Sequence, residues 1–115
     1  MNTNSVKAYS LHIGLNRVDP DHYSGWTGDL VACDADATDM RDLAQSMNYS
    51  KSELLLNEQA TREAVISKLL QYTETLQKGD MLLITYSGHG GQVPDKDGDE
   101  EDGKDETWCL YNGEL

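Results

Sequence analysis

The stretch "DMLLITYSG", Asp80 to Gly88, decides the fold. Its residues between Asp80 and Ser87 are almost all apolar or β-branched, with no alternation of polar positions. Such a run suits a central strand of a parallel sheet, covered on both faces. Working outward, "REAVISKLLQYTETLQKG" before it repeats Val65, Leu69, Tyr72 and Leu76 at helical spacing, with Thr61 as N-cap and Gly79 as terminator. "ELLLN" before that reads as a short buried strand. Further upstream, Cys33, Ala37, Met40, Ala44 and Met47 share one face of a helix, capped by Asp34 or Asp36 and closed by Asn48. "VKAYSLHIGL" reads as a first strand near residues 7 to 14, and "NRVDPDHYSGWTGDL" as a loop punctuated by Asp-Pro, Ser-Gly and Thr-Gly. Downstream, "TWCLY" reads as a last short strand. The order strand, helix, strand, helix, strand implies an α/β sandwich with a mainly parallel central sheet flanked by helices.

The chain has 115 residues, enough for one domain over residues 1–115 with a modest core. Its formal net charge of -12 disfavours nucleic acid and anionic membranes as partners and favours cations or basic peptides. Asp95 to Glu106 holds eight acids and two lysines, a net -6 and therefore half the total. No apolar run is long enough for a membrane span, and "MNTNSVKAYS" lacks the pattern of a secretory signal. With only Cys33 and Cys109, free thiols and a cytoplasmic setting are expected.

Sites in parallel sheets form beyond the carboxyl ends of strands. "SGHGG", Ser87 to Gly91, occupies that place. His89 there can take and return a proton near neutral pH, and Gly90 offers a bare backbone N–H suited to an oxyanion. The competing reading is a solvated loop histidine. His12 reads as packing or surface and His22 as an ordinary loop residue. Cys33, at a helix start, is either a reactive thiol or a small buried residue, and Cys109 reads as core. Asp95, Asp97, Asp99 and Glu106 match EF-hand positions 1, 3, 5 and 12, but Glu100 replaces the required glycine and flanking helices are not expected. A looser oxygen-rich cation site and a solvated acidic loop both stay open. "SGHGG" is not a phosphate loop, so no nucleotide site follows.

"KAYSLHIGLN", "GDLVACDADATDM", "DMLLITYSGHGGQ" and "DKDGDEEDGKDETWCLY", in this order, resemble the large catalytic portion of a metacaspase, a caspase-like cysteine peptidase. The resemblance implies the caspase-like α/β sandwich. It implies His89 as catalytic histidine and Gly90 as an oxyanion-hole donor. It places Cys33, Asp36 and Ser87 in the pocket for the residue before the scissile bond, arginine or lysine, where Asp36 would pair a guanidinium. Aspartate specificity is disfavoured, because the loop "YSGWTGDL" carries no arginine. The family's calcium ligands map to Asp105 and, less closely, Asp102, so calcium is the expected activator and no organic cofactor is implied. The family's nucleophilic cysteine lies on a downstream segment, and His89 needs that segment or a second chain as partner. This fits one piece of a processed or two-chain endopeptidase acting on peptide or protein substrates. The alternative is a truncated or non-catalytic relative: a calcium-responsive regulatory or pseudopeptidase domain that binds a basic peptide or partner protein.

Overall fold

The computed structural model describes residues 6–94 and 104–115. Its elements are β1 (Ala8–Gly14), α1 (Cys33–Ser46), β2 (Lys51–Leu56), a single 3-10 turn (Asn57–Gln59), α2 (Arg62–Thr75), β3 (Met81–Ser87), β4 (Gly90–Pro94), β5 (Lys104–Leu110) and β6 (Gly113–Glu114). β1 pairs in parallel with β2 on one side and β3 on the other, so the sheet runs β2-β1-β3. This corrects the expectation that the third strand is central. β1 holds the middle and buries five consecutive residues, while β3 is half-buried along most of its length.

Side chains alternate across a strand, and the register therefore sorts the sheet into two faces. Tyr9, Leu11 and Ile13 share one face with Glu53, Leu55, Ile84 and Tyr86. Val65 and Tyr72 of α2 join Leu11, Ile13 and Leu55 in the main core, and the Tyr72 ring meets Tyr9 edge-on with centroids 5.7 Å apart. Each fully buried side chain of this size contributes about 1.5–3 kcal/mol. Ser10, His12 and Gly14 lie on the opposite face with Ser52, Leu54, Thr85 and Ser87, under α1. The helix approaches so closely that a Cβ at Gly14 would lie 2.3 Å from the Cys33 carbonyl oxygen and 2.8 Å from the Ala37 Cβ. Only glycine allows that approach.

Both helices form near the expected places, and their ends differ in detail. Thr61 caps α2, its hydroxyl accepting from the Ala64 N–H. Neither Asp34 nor Asp36 caps α1. The N-cap is Ala32, and the Asn16 side chain accepts from the Cys33 N–H at 2.8 Å. Asn48, with φ 65°, suits the end of α1 as expected, but Leu43 and Met47 are exposed. α2 stops at Thr75, before Gly79, which turns the chain at φ +95° toward β3.

Beyond Gly88 a small antiparallel sheet, β4-β5-β6, replaces the loop expected after the histidine. It is tied to the main body by the Tyr111 N–H on the Ala60 carbonyl (2.9 Å) and the Tyr23 hydroxyl on the Leu110 carbonyl (2.7 Å). Leu110 is fully buried in the main core. No helix among the described residues is long and apolar enough to cross a membrane.

Candidate active site

His89 sits between the end of β3 and the start of β4. The loop from residue 15 to residue 30 folds over it. Backbone bonds close that loop on itself, among them Val18 N–H to the Thr27 carbonyl, Leu30 N–H to the Asn16 carbonyl, and Tyr23 N–H to the Asp19 carbonyl. The closure brings Gly28 (φ +60°) and Trp26 against the imidazole. His89 Nε2 lies 3.1 Å from the Gly28 carbonyl oxygen. A carbonyl only accepts, so Nε2 carries the proton and the neutral ring keeps Nδ1 free to act as a base. The Trp26 indole covers the ring, with centroids 4.7 Å apart. A side chain at position 28 would press on both rings, its Cβ 3.0 Å from Trp26 and 3.1 Å from His89.

The backbone on either side of the ring is also held. The Tyr86 hydroxyl donates to the His89 carbonyl at 2.6 Å and lies 3.1 Å from the Cys109 carbonyl. Burial pushes the Tyr86 hydroxyl well above its ordinary range, so it stays a donor at neutral pH. Its ring stacks flat on Trp108 at 4.9 Å. The Cys109 N–H donates to the same His89 carbonyl at 2.9 Å, which marks His89 and Cys109 as a hydrogen-bonded position of the β4–β5 pair. The next position is Gly90 opposite Trp108. Trp108 spends both main-chain groups on Leu115, at 2.8 and 3.0 Å. In an antiparallel pair the bonded positions alternate, so the Gly90 N–H turns away from β5. Gly90 itself is exposed.

Ser87 and Asp36 meet across the gap between β3 and α1, the Ser87 hydroxyl donating to Asp36 Oδ2 at 2.9 Å. They line a cavity of about 220 Å³ together with Ala37, Met40 and Thr85. Cys33 is buried beneath the first turn of α1 and does not line it. Both cysteines are free and buried. Burial pushes the Cys109 thiol up. His12 is fully buried and His22 pairs with Glu114 at 3.0 Å.

Asp105 stands on β5 opposite Val93, and Glu106 opposite Gln92. Asp95, Asp97, Asp99 and Asp102 lie outside the described residues. Strands β4 and β5 border that segment where an EF-hand needs helices. Among the described residues no three His, Cys, Asp or Glu side chains gather closely enough to hold a metal ion.

The residues that reasoning from the sequence did not find are Gly28, Trp26 and Tyr86. The glycine- and aromatic-rich "YSGWTG" is the local signal for Trp26 and Gly28, and Tyr86 directly precedes the "SGHGG" motif.

Comparison with known proteins agrees with this architecture. A family model described as the metacaspase, peptidase C14 domain matches residues 10–114. Metacaspase-1A of Aspergillus clavatus is 36% identical over 110 residues, covering 88% of this chain and 24% of that protein. Metacaspase-1 of Coccidioides immitis is 35% identical over 110 residues, covering 88% of this chain and 22% of that protein. The crystal structure of protein GSU0716 from Geobacter sulfurreducens superposes with a TM-score of 0.85 at 50% identity, over 95% of this chain and 41% of that one. The chain thus spans about a quarter of the length of these curated relatives. With the fold, the histidine turn and the sequence all in agreement, the chain belongs to the metacaspase, peptidase C14, family.

Proposed function

We propose that this chain forms the histidine-bearing part of a cysteine endopeptidase site that cuts peptide bonds after arginine or lysine. The observation that carries the reading is the pairing of a base and a donor at one turn. His89 has its Nε2 proton engaged by the Gly28 carbonyl, and the adjacent Gly90 N–H is directed away from β5. The thiol comes from a downstream segment or a partner chain, because Cys33 and Cys109 are both buried. His89 Nδ1 takes the thiol proton as sulfur attacks the peptide carbonyl carbon. The resulting oxyanion accepts from the Gly90 N–H, a contact worth about 3 kcal/mol of barrier. The C–N bond then breaks, and the amine leaves with the proton held by His89. Water, deprotonated by the same nitrogen, hydrolyses the thioester.

The cavity beside Ser87 supports the basic preference. Asp36 supplies a carboxylate there, and the Met40 side chain offers apolar surface for an aliphatic stem. Calcium activation belongs to the same proposal, with Asp105 and Asp102 as ligands. Its support is chemical, since crowded carboxylates repel one another unless a cation screens them. Asp105 alone does not complete a site among the described residues.

The test uses the full-length protein that carries this chain. It is offered peptides with arginine, lysine or aspartate before the scissile bond, with and without calcium. Turnover of the arginine and lysine peptides is expected, falling about a hundred- to ten-thousandfold in His89→Ala. Absence of both turnover and covalent trapping on all three peptides would overturn the peptidase reading. Added calcium should raise the melting temperature, and Asp105→Ala should remove that rise.

A further inference from the structure

The Gly90 N–H belongs to the same peptide unit as the His89 carbonyl, and that carbonyl is held twice. The Cys109 N–H donates to it at 2.9 Å from β5, and the Tyr86 hydroxyl donates to it at 2.6 Å from β3. A carbonyl only accepts, so the direction of both bonds is fixed. The same hydroxyl lies farther, at 3.1 Å, from the Cys109 carbonyl, so the His89 oxygen is its main acceptor. A trans peptide unit is planar, with its N–H pointing opposite to its C=O. Among the described residues every peptide bond is trans. Pinning the oxygen between two donors therefore sets the plane of the unit and aims the Gly90 N–H to the opposite side, where Gly90 is exposed.

The bond from Cys109 is part of the strand pairing, but the bond from Tyr86 is not. It is a side chain reaching three residues ahead, and two neighbours serve it. Gly88 leaves the room: a Cβ there would lie 2.6 Å from the Tyr86 hydroxyl oxygen and 2.9 Å from Cζ. Gly88 does not adopt a positive φ, so space rather than backbone freedom explains a glycine at this position. Trp108 stacks flat on the Tyr86 ring, with centroids 4.9 Å apart and planes 2° from parallel, and holds it in place. Burial keeps the hydroxyl protonated and a donor. Hydrogen bonds in series polarise one another, so donors on the carbonyl also strengthen the N–H of the same unit as a donor.

We propose that Tyr86 is a positioning residue for the oxyanion: its hydroxyl fixes and polarises the His89–Gly90 peptide unit, so that the Gly90 N–H is aimed before substrate arrives. A donor held in this way needs no reorientation as negative charge develops in the transition state. The first glycine of "SGHGG" is then the space that the hydroxyl passes through. This inference rests on reading the Gly90 N–H as the oxyanion donor.

The experiment uses the full-length protein that carries this chain and the arginine peptide. Tyr86→Phe keeps the ring and its stack on Trp108 and removes only the hydroxyl. Its kcat should fall about tenfold, a fraction of what a lost oxyanion donor costs, with KM unchanged, since the oxyanion forms only after substrate is bound. Alkylation of the nucleophilic thiol by chloroacetamide is the companion measurement. There the sulfur displaces chloride and no oxyanion forms, so the rate reads the thiol and His89 alone and should not change. Gly88→Ala keeps the tyrosine but displaces its hydroxyl; it should show the same split, and it decides the matter if Tyr86→Phe does not fold. An undiminished kcat in Tyr86→Phe overturns the inference and leaves the peptidase reading standing. An alkylation rate that falls with kcat overturns it too, because Tyr86 then acts through the imidazole. Neither turnover nor covalent trapping in the unaltered protein overturns the peptidase reading itself, and the inference falls with it.

Discussion

The two faces of the parallel sheet are built from the same three strands and are opposite in character. The α2 face packs Leu11, Ile13, Leu55, Val65 and Tyr72 into the main core, with Glu53 and, at its exposed edge, Lys51 as polar exceptions. Glu53 is fully engaged there, accepting from the Tyr72 hydroxyl at 2.7 Å and from Lys68 at 2.5 Å. The α1 face carries Ser10, His12, Ser52, Thr85 and Ser87, most of them tied into hydrogen bonds, and ends at Asp36. The difference teaches a division of labour. Apolar burial on one face holds the strands in register. That frees the other face to hold polar groups, which a core tolerates only when their hydrogen bonds are satisfied.

Mutations that act on one face only can break or sharpen this contrast. The largest effect belongs to the α2 face. Tyr72→Ala should cost about 4 kcal/mol in urea unfolding, since it opens a cavity and strips a partner from Glu53, whereas Tyr72→Phe should cost about 1 kcal/mol. Equal costs for the two variants would mean that the hydroxyl, not the ring, carries the packing.

The next effect belongs to the α1 face and shows itself in pH. His12 has its pKa lowered in the folded protein, first by burial and then by Arg41. A group depressed on folding favours the native state above its unfolded value, and that stability is lost as pH falls below about 6.5 while the unfolded chain takes up the proton first. Unfolding free energy measured from pH 8 to pH 5 should decline by up to about 1.4 kcal/mol per pH unit from this residue alone. His12→Gln should remove that component of the slope. An identical slope in the variant would place the acid sensitivity elsewhere.

The smallest effect tests the hinge between the faces. Asn16 caps α1 from the loop after β1, and Asn16→Ala should cost about 1 kcal/mol, with Asn16→Asp restoring part of it. No loss on thermal melting would mean that water replaces the cap.

Much of this was legible along the chain wherever a local period existed. Val65 and Tyr72 repeat at helical spacing and are buried, and Thr61 caps the helix they belong to. His89 stood out because glycines bracket it at a strand end. β4 was not legible, because Gly90 and Gly91 have no side chains to show a strand period, and the strand exists only through pairing with β5. The cap of α1 escaped for a related reason. Asp34 and Asp36 sit where a local cap belongs, yet Asn16, seventeen residues upstream, takes the role. The centre of the sheet was assigned to β3, since its apolar run is longer. β1 took that place although it carries Ser10 and His12, because those two find hydroxyl partners on β2 and β3.

By itself the sequence determined the class of fold, the family resemblance and the position of His89 and Gly90 at a strand end. Periodicity, turn chemistry and motif are properties of neighbours along a chain, and they can be read there. Only the tertiary structure decided which proton His89 keeps and which way the Gly90 N–H points. Those depend on Gly28 and Leu115, each remote in sequence from the group it governs. A hydrogen bond assigns its proton to one partner, and that partner is known only once the chain has folded.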